Sequence, residues 1–282
     1  MFLDSYKGCV IFDGAMGTML QRCGLKPGDR PDVMNMTAPG AVENVHRLYV
    51  EAGSDIVCTN TFGANSLALA GAGYTPEEII NAAVAIAKRA CGSAAKVALD
   101  IGPIGQLLEP IGDMEQENAY ELFKQQAIAG ENAGADVVAI ETMSCLTELR
   151  TAALAVLENT KLPVFATMTF DKTGRTYLGC TPEEFAQAAN ELGLDAAGLN
   201  CSLGPSEMYE TAERIAKNTN LPLIVKPNAG LPDSVTGKYS IGPEEFASQM
   251  AWFAGIGARI VGGCCGTTPE HIRELKMAIS TI

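Results

Sequence analysis

Two adjacent cysteines, Cys264 and Cys265, lie between glycines in Val261-Gly-Gly-Cys-Cys-Gly-Thr-Thr-Pro-Glu-His271, at the end of a short apolar run. Neighbouring side chains of a regular strand point to opposite faces, so such a pair serves one metal only where the chain leaves the strand. The flanking glycines permit the backbone angles that this requires. A third thiol is available from Cys201, in Leu199-Asn-Cys-Ser-Leu-Gly204. Three thiolates with one open position form a catalytic zinc site rather than a closed structural one. The alternative, from the pair alone, is a vicinal pair of buried free cysteines, which are common in cores.

The elements that must position these thiols alternate along the whole chain. Short apolar runs occur at Cys9–Phe12, Ile56–Cys58, Val97–Leu99, Val137–Ile140, Val164–Met168, Ala196–Leu199, Leu223–Val225 and Arg259–Val261, the sixth being weak as a strand. Helical patterns separate them, with cores at Ala41–Ala52, Glu77–Cys91, Glu115–Ala133, Cys145–Asn159, Glu183–Leu192, Ser206–Asn218, Glu244–Gly255 and Glu270–Ser280. Thr75-Pro-Glu-Glu78 and Thr181-Pro-Glu-Glu184 read as capping boxes, and Thr268-Pro-Glu-His271 as a further helix start. Strands alternating with helices predict a parallel sheet. A weak repeat recurs: Ala52-Gly-Ser-Asp-Ile-Val57, Ala133-Gly-Ala-Asp-Val-Val138 and Leu192-Gly-Leu-Asp-Ala-Ala197, with Arg259 replacing Asp in Ile256-Gly-Ala-Arg-Ile-Val261. Its glycine fits a helix C-cap. Eight such units in 282 residues predict one (β/α)8 barrel over residues 1–282, with the site at the C-terminal ends of the strands. A doubly wound sheet is the alternative, but Asp13-Gly-Ala-Met-Gly-Thr18 matches its phosphate turn only in part.

In a barrel the chemistry sits where strands finish. Those positions hold Asp13; Thr59, Asn60 and Thr61; Asp100; Glu141; Thr169; Asn200 and Cys201; Lys226 and Asn228; and Cys264 with Cys265. For any one of them a loop cap is the simpler reading. Carboxylates and thiols converging on one mouth exceed what solvation needs. Asp13 and Glu141 are suited to an ammonium group, and free amides at Gly14 and Ala15 to a carboxylate, which together describe an amino-acid pocket. Asn200 is expected to support the thiols from behind. Asp100 reads as a turn cap, Lys226 as the partner of a neighbouring carboxylate, and His46 and His271 as structural. Cys58 reads as strand core, while Cys9, Cys23, Cys91, Cys145 and Cys180 show no pairing pattern.

Composition narrows the classes. Hydrophobic residues make up 47% and charged residues 19%, which fits a large core and argues against disorder. A net charge of −13 disfavours nucleic acid as a partner. No apolar run approaches a membrane span, and no secretory signal is visible, so the nine cysteines read as reduced thiols in a cytoplasmic setting.

Asp13-Gly-Ala-Met-Gly-Thr18, Thr59-Asn-Thr-Phe-Gly63, Asp100-Ile-Gly-Pro103, Asn200-Cys-Ser-Leu-Gly-Pro205, Pro227-Asn-Ala-Gly230 and Gly262-Gly-Cys-Cys-Gly-Thr-Thr-Pro269 occur in this order. Over residues from about 10 to 280 the chain resembles the zinc-dependent homocysteine S-methyltransferases, most closely the homocysteine-binding domain of cobalamin-dependent methionine synthases. The resemblance implies a (β/α)8 barrel, zinc on Cys201, Cys264 and Cys265, the sulfur of L-homocysteine as fourth ligand, and an amino group held by Asp13 and Glu141. It also implies that Asn60, Thr61 and Asn228 line the pocket.

A free thiol with a pKa of about 8.5 is mostly protonated at neutral pH, and zinc removes that proton. Three cysteinates around a dication already leave one net negative charge, so a fourth sulfur stays electron-rich enough to attack a methyl group without a general base. The expected product is methionine. The eight units leave no residues for a corrinoid or folate domain, so the expected donor is a methyl-corrinoid (cobalamin) on a separate protein or domain. Rival readings are a methyltransferase using S-methylmethionine or S-adenosylmethionine, and a non-catalytic zinc-binding subunit that holds homocysteine. Betaine is disfavoured because only 6% of residues are aromatic, and quaternary ammonium groups favour aromatic cages.

Overall fold

In the computed structural model, which describes residues 2–280 apart from Pro27 and Ser234, the strands are β1 (Val10–Ile11), β2 (Ile56–Cys58), β3 (Lys96–Ile101), β4 (Val137–Met143), β5 (Val164–Met168), β6 (Ala196–Asn200), β7 (Leu223–Lys226) and β8 (Ala258–Val261). The helices are α1 (Met16–Arg22), α2 (Met34–Thr37), α3 (Pro39–Ala52), α4 (Pro76–Cys91), α5 (Gln116–Ala133), α6 (Leu146–Asn159), α7 (Pro182–Leu192), α8 (Pro205–Asn218), α9 (Pro243–Met250) and α10 (Pro269–Ile279). All strand pairs are parallel, and the order runs β1-β8-β7-β6-β5-β4-β3-β2. The seam between β1 and β2 is closed by a bridge between Phe12 and Ile56. There the Asp13 amide donates to Ile56 O at 3.1 Å and the Asp55 amide to Ile11 O at 2.7 Å. The (β/α)8 barrel expected from the alternation is thus the observed fold.

The repeat has a mechanical explanation. Asp55 Oδ2 accepts the Ile11 N–H at 2.8 Å, Asp136 Oδ2 that of Val97 at 2.8 Å, and Asp195 Oδ2 that of Val164 at 2.9 Å. Each aspartate just before an even strand satisfies a buried amide of the strand before it, at the N-terminal floor of the barrel. Arg259, the departure from the pattern, donates instead to Leu3 O and Tyr6 O and ties the N-terminal turn Phe2–Ser5 across that floor. The repeat glycines 53, 134, 193 and 257 all cap helices in the left-handed conformation.

Inside the barrel Val10, Phe12, Ile56, Ala98, Val137, Ala139, Phe165, Ala196, Ile224 and Ile260 form a separate apolar core. The rings of Phe12 and Phe165, 6.3 Å apart, take up much of the space. This accounts for the weak sixth strand: a Cβ on Gly198 would lie 1.9 Å from Ile224 O, so β6 must be small there whatever its strand propensity. A larger apolar layer packs between strands and helices. The capping boxes at Thr75 and Thr181 form, and Thr268 forms a third in which His271 takes the glutamate's place. Two helices, α1 and α2, were not marked by the sequence pattern; both are too short to show a helical period. The expected helix Glu244–Gly255 ends at Met250 and continues as a tighter 3-10 stretch, Ala251–Ile256.

Candidate active site

Cys201, Cys264 and Cys265 converge above the barrel mouth, with their sulfurs all within 4.8 Å of one another. Cys201 leaves the end of β6 with a left-handed φ of 61°, followed by Ser202 at 67°. Its amide donates to Lys226 O at 3.0 Å, and its carbonyl accepts from Leu203 at 2.8 Å, which holds the unusual conformation. After β8 the Cys264 amide donates to Pro227 O at 2.8 Å, and Cys265 O accepts from Ala229 at 3.0 Å. The chain has left β8 at Val261 before it reaches the cysteine pair, as the sequence required. The left-handed glycine is Gly266 (φ 81°), where a Cβ would strike the Tyr239 ring 2.1 Å away.

The sulfurs of Cys201 and Cys265 are 3.8 Å apart. A zinc ion about 2.3 Å from each sulfur in tetrahedral geometry needs S···S edges of about 3.8 Å, so the donor set fits zinc in chemistry and spacing. Hydrogen bonds from Cys201, Cys264 and Tyr239 hold the Cys265 thiol far below the ordinary thiol range, down to about 3, so the cluster favours a thiolate. Behind it, Asn200 is fully buried; its Nδ2 lies 3.8 Å from Cys264 Sγ, and its Oδ1 accepts from Thr142 N at 2.9 Å and Thr167 Oγ1 at 2.8 Å. Asn200 is therefore placed within reach of one sulfur of the cluster and tied to β4 and β5.

Below the sulfurs the barrel interior turns polar. Glu141 and Lys226 pair at 2.5 Å, the lysine also lying 4.7 Å from the Phe12 ring centre and 3.7 Å from Cys58 Sγ. Lys226 is thus the carboxylate partner that its position foretold, and nearby anions keep it charged despite burial, which opposes the charge. A register shift between Ile140 and Met143, with Thr142 in the left-handed region (φ 63°), bends β4 at Glu141. Asp13 Oδ2 accepts the Cys58 amide at 2.9 Å, and burial pushes the carboxyl up to about 7.

Several expected residues do other work. The Ala15 amide is not free: it donates to Thr267 Oγ1 at 3.1 Å, whereas the Gly14 amide has no partner among the described residues. Asn60 Nδ2 donates to Pro31 O at 2.7 Å, and the Asn60 carbonyl accepts from Asn35, so its side chain anchors the rim segment Pro31–Val33. Thr61 Oγ1, fully buried, donates to Asp100 O at 2.7 Å and contacts Thr59 Oγ1 at 2.6 Å, a clasp between β2 and β3. Thr169 Oγ1 donates to Asn200 O at 3.0 Å. Asn228 is buried, and its Oδ1 has no partner among the described residues. Asp100 is no turn cap, since its Oδ1 is buried without a partner among the described residues. His271 Nε2 lies 3.0 Å from Ile241 O, and His46 is buried with both ring nitrogens unpartnered, held neutral by burial with its pKa lowered to about 4. Sequence reasoning missed Tyr239, Thr142, Thr167 and Thr267, which sit in loops or carry no spacing signal.

The family described as homocysteine S-methyltransferase matches residues 10–279. The chain is 35% identical to methionine synthase of Mycobacterium leprae, over 96% of this chain and 24% of that protein. It is also 35% identical to the Mycobacterium tuberculosis methionine synthase, over 97% of this chain and 25% of that protein. It thus spans about a quarter of the length of these relatives. In structure it resembles the metallated form of the homocysteine methyltransferase MmuM of Escherichia coli, with a TM-score of 0.82, 22% identity, and coverage of 98% of this chain and 97% of that one. The oxidized form of the same protein gives a TM-score of 0.84 at 23% identity, covering 98% and 97%.

Proposed function

Because the chain belongs to the homocysteine S-methyltransferase family, we propose that it binds L-homocysteine over Asp13 and Glu141 and presents the substrate sulfur beside Cys201, Cys264 and Cys265 for methylation to methionine. The observation that carries this reading is the convergence of three sulfurs within 4.8 Å directly above a buried, acid-rich barrel mouth. A zinc ion held by the three cysteines would convert the incoming thiol to a thiolate at neutral pH.

The chain's own residues do the rest. Asn200 steadies Cys264, and Tyr239 steadies Cys265 through its hydroxyl. Asp13 and Glu141 receive the substrate ammonium, the Gly14 amide its carboxylate, and Asn228 lines the same pocket. Lys226 pairs with Glu141 and fixes it in place. The substrate sulfur then supplies the electron pair of the new S–C bond, the methyl–donor bond breaks, and the thiol proton has already left to solvent. No side chain need act as base at the sulfur, which agrees with the structural roles of both histidines.

The methyl donor in this reading is a methyl-corrinoid carried by a separate protein or domain. Support comes from the 35% identity to methionine synthases across nearly the whole chain. It comes also from the mouth itself: Phe62, Leu107, Tyr177, Leu231 and Val235 are exposed apolar side chains in the loops after β2, β3, β5 and β7, the face that a bulky donor must approach. Such contact is transient and modest in area, because the corrinoid must also visit its methyl source. Methyl-transfer assays with zinc-loaded protein and homocysteine separate the donors. Slow transfer from free methylcobalamin, with little from S-methylmethionine or betaine, is the expected result. Fast, saturable turnover with S-methylmethionine alone would move the protein to the sulfonium-using branch, and zinc-dependent homocysteine binding without turnover from any donor would make it a holding subunit.

A further inference from the structure

The barrel mouth contains Asp13 after β1, Asp100 in β3, Glu141 in β4 and Lys226 in β7, so three carboxyl groups share one lysine. Glu141 has Lys226, and Asp13 has the Cys58 amide. Asp100 has neither, and its Oδ1 is buried without a hydrogen bond. The register places Asp100 beside Ala139, an inward-facing residue of the interior core, so its side chain also points inward. The groups that act on it are Glu141, Lys226, Asp13 and, from the rim, Asp32, with the Cys58 thiol below on β2. Burial first, then the charge of Glu141, pushes its carboxyl well above the ordinary carboxylate range.

A buried acid without a partner is a standing cost unless it is neutral or meets a cation. Its neighbours are two acids and a lysine already engaged, so the structure itself contains no cation for it among the described residues. A ligand ammonium entering over Asp13 and Glu141 would supply one. We propose that Asp100 is the third carboxylate of the ammonium cradle and a specificity-determining residue for α-amino acids, giving up its proton as the ligand ammonium arrives. The proton balance is one for one: the neutral acid loses its proton to solvent and the ligand's positive charge takes that proton's place, so the cluster's net charge does not change. This inference rests on the reading of the mouth as an amino-acid pocket.

The test uses L-methionine, the product, because its thioether has no thiol proton to release. Calorimetry of zinc-loaded protein near neutral pH, in two buffers of different ionisation enthalpy, reads affinity and proton release together. Wild-type protein should release a proton fraction on binding. Asp100→Asn should release much less and bind about tenfold more weakly, the loss expected for one charged hydrogen bond. The same variant should melt a few degrees higher, because an unpaired buried acid is gone. The des-amino analogue, 2-hydroxy-4-(methylthio)butanoate, should bind both proteins alike. Asp100→Ser serves as a second variant should Asp100→Asn fold poorly. Unchanged methionine affinity and proton release in a folded Asp100 variant would overturn the proposal, as would a lowered melting temperature with unchanged affinity, the mark of a structural role. If wild-type protein binds neither methionine nor homocysteine, or if Asp13→Asn and Glu141→Gln leave binding intact, the pocket reading itself fails.

Discussion

Aspartates stand at both ends of this barrel, and they are treated in opposite ways. At the floor Asp55, Asp136 and Asp195 each accept a strand amide within 2.9 Å, and Asp55 and Asp136 also pair with lysines. At the mouth Asp13 accepts one amide, while Asp100 Oδ1 and Asn228 Oδ1 have no partner among the described residues. The mouth also holds the non-glycine residues in left-handed conformations, Thr142, Cys201 and Ser202. The floor has settled its polar groups and stabilises the fold; the mouth leaves them unsettled, a cost that persists where a ligand is to be bound. Residue type at a strand end therefore says little until hydrogen-bond partners are counted.

The largest effect that would sharpen this contrast is at the sulfurs. Cys201→Ala, Cys264→Ala or Cys265→Ala should each abolish tight zinc binding and activity while the circular dichroism melt stays cooperative, because the site lies on the rim. Metal analysis of purified variants decides it, and a fully zinc-loaded Cys265→Ala protein would break the three-thiolate assignment.

Next come the mouth acids. Asp13→Asn and Glu141→Gln should retain zinc yet bind homocysteine roughly ten- to a hundredfold more weakly, the ~1.5–3 kcal/mol of a charged hydrogen bond. Glu141→Gln should also cost stability, since Lys226 is left buried with its charge unpaired. Calorimetric affinities equal to wild type in both variants would mean that the pocket lies elsewhere.

The floor should answer in the other currency. Asp136→Ala strands the Val97 amide and releases two lysines, one of them 2.6 Å away. It should lower unfolding free energy by about 1–3 kcal/mol in urea melts with zinc content and homocysteine affinity unchanged. A selective loss of homocysteine affinity would erase the distinction between the two ends.

The smallest effect is a slope. Burial raises the Asp13 carboxyl to about 7 in the folded ligand-free protein, above its unfolded value. The folded state therefore holds more protons than the unfolded state between these two pKa values. Asp13's favourable contribution is present below the unfolded pKa and is lost as pH rises toward about 7, by at most about 1.4 kcal/mol per pH unit. Asp13→Asn should flatten that part of the stability–pH curve. Homocysteine, by supplying a cation, should stabilise wild-type protein more at pH 7.5 than at pH 5.5, and an identical slope in wild type and variant would remove the cause assigned here.

What could be read from the chain alone was what repeats or clusters along it. Alternating runs fixed the strand order of a barrel, and the Gly-x-Asp repeat marked helix ends, since local periodicity and caps depend on neighbours a few residues away. The thiol trio was legible because glycine-flanked vicinal cysteines are rare chemistry at a strand end. Partners were not legible. Asn60 and Thr61 share a stretch with the site yet serve the rim and a strand clasp, while Tyr239 reaches Cys265 from a loop with no pattern of its own. Asp100 reads like any strand-end aspartate; its isolation follows from inward register beside Ala139 and from Lys226 being spent on Glu141. Burial and hydrogen-bond satisfaction arise from contacts between distant segments, so only the closed barrel decided which polar groups are finished and which still wait for a partner.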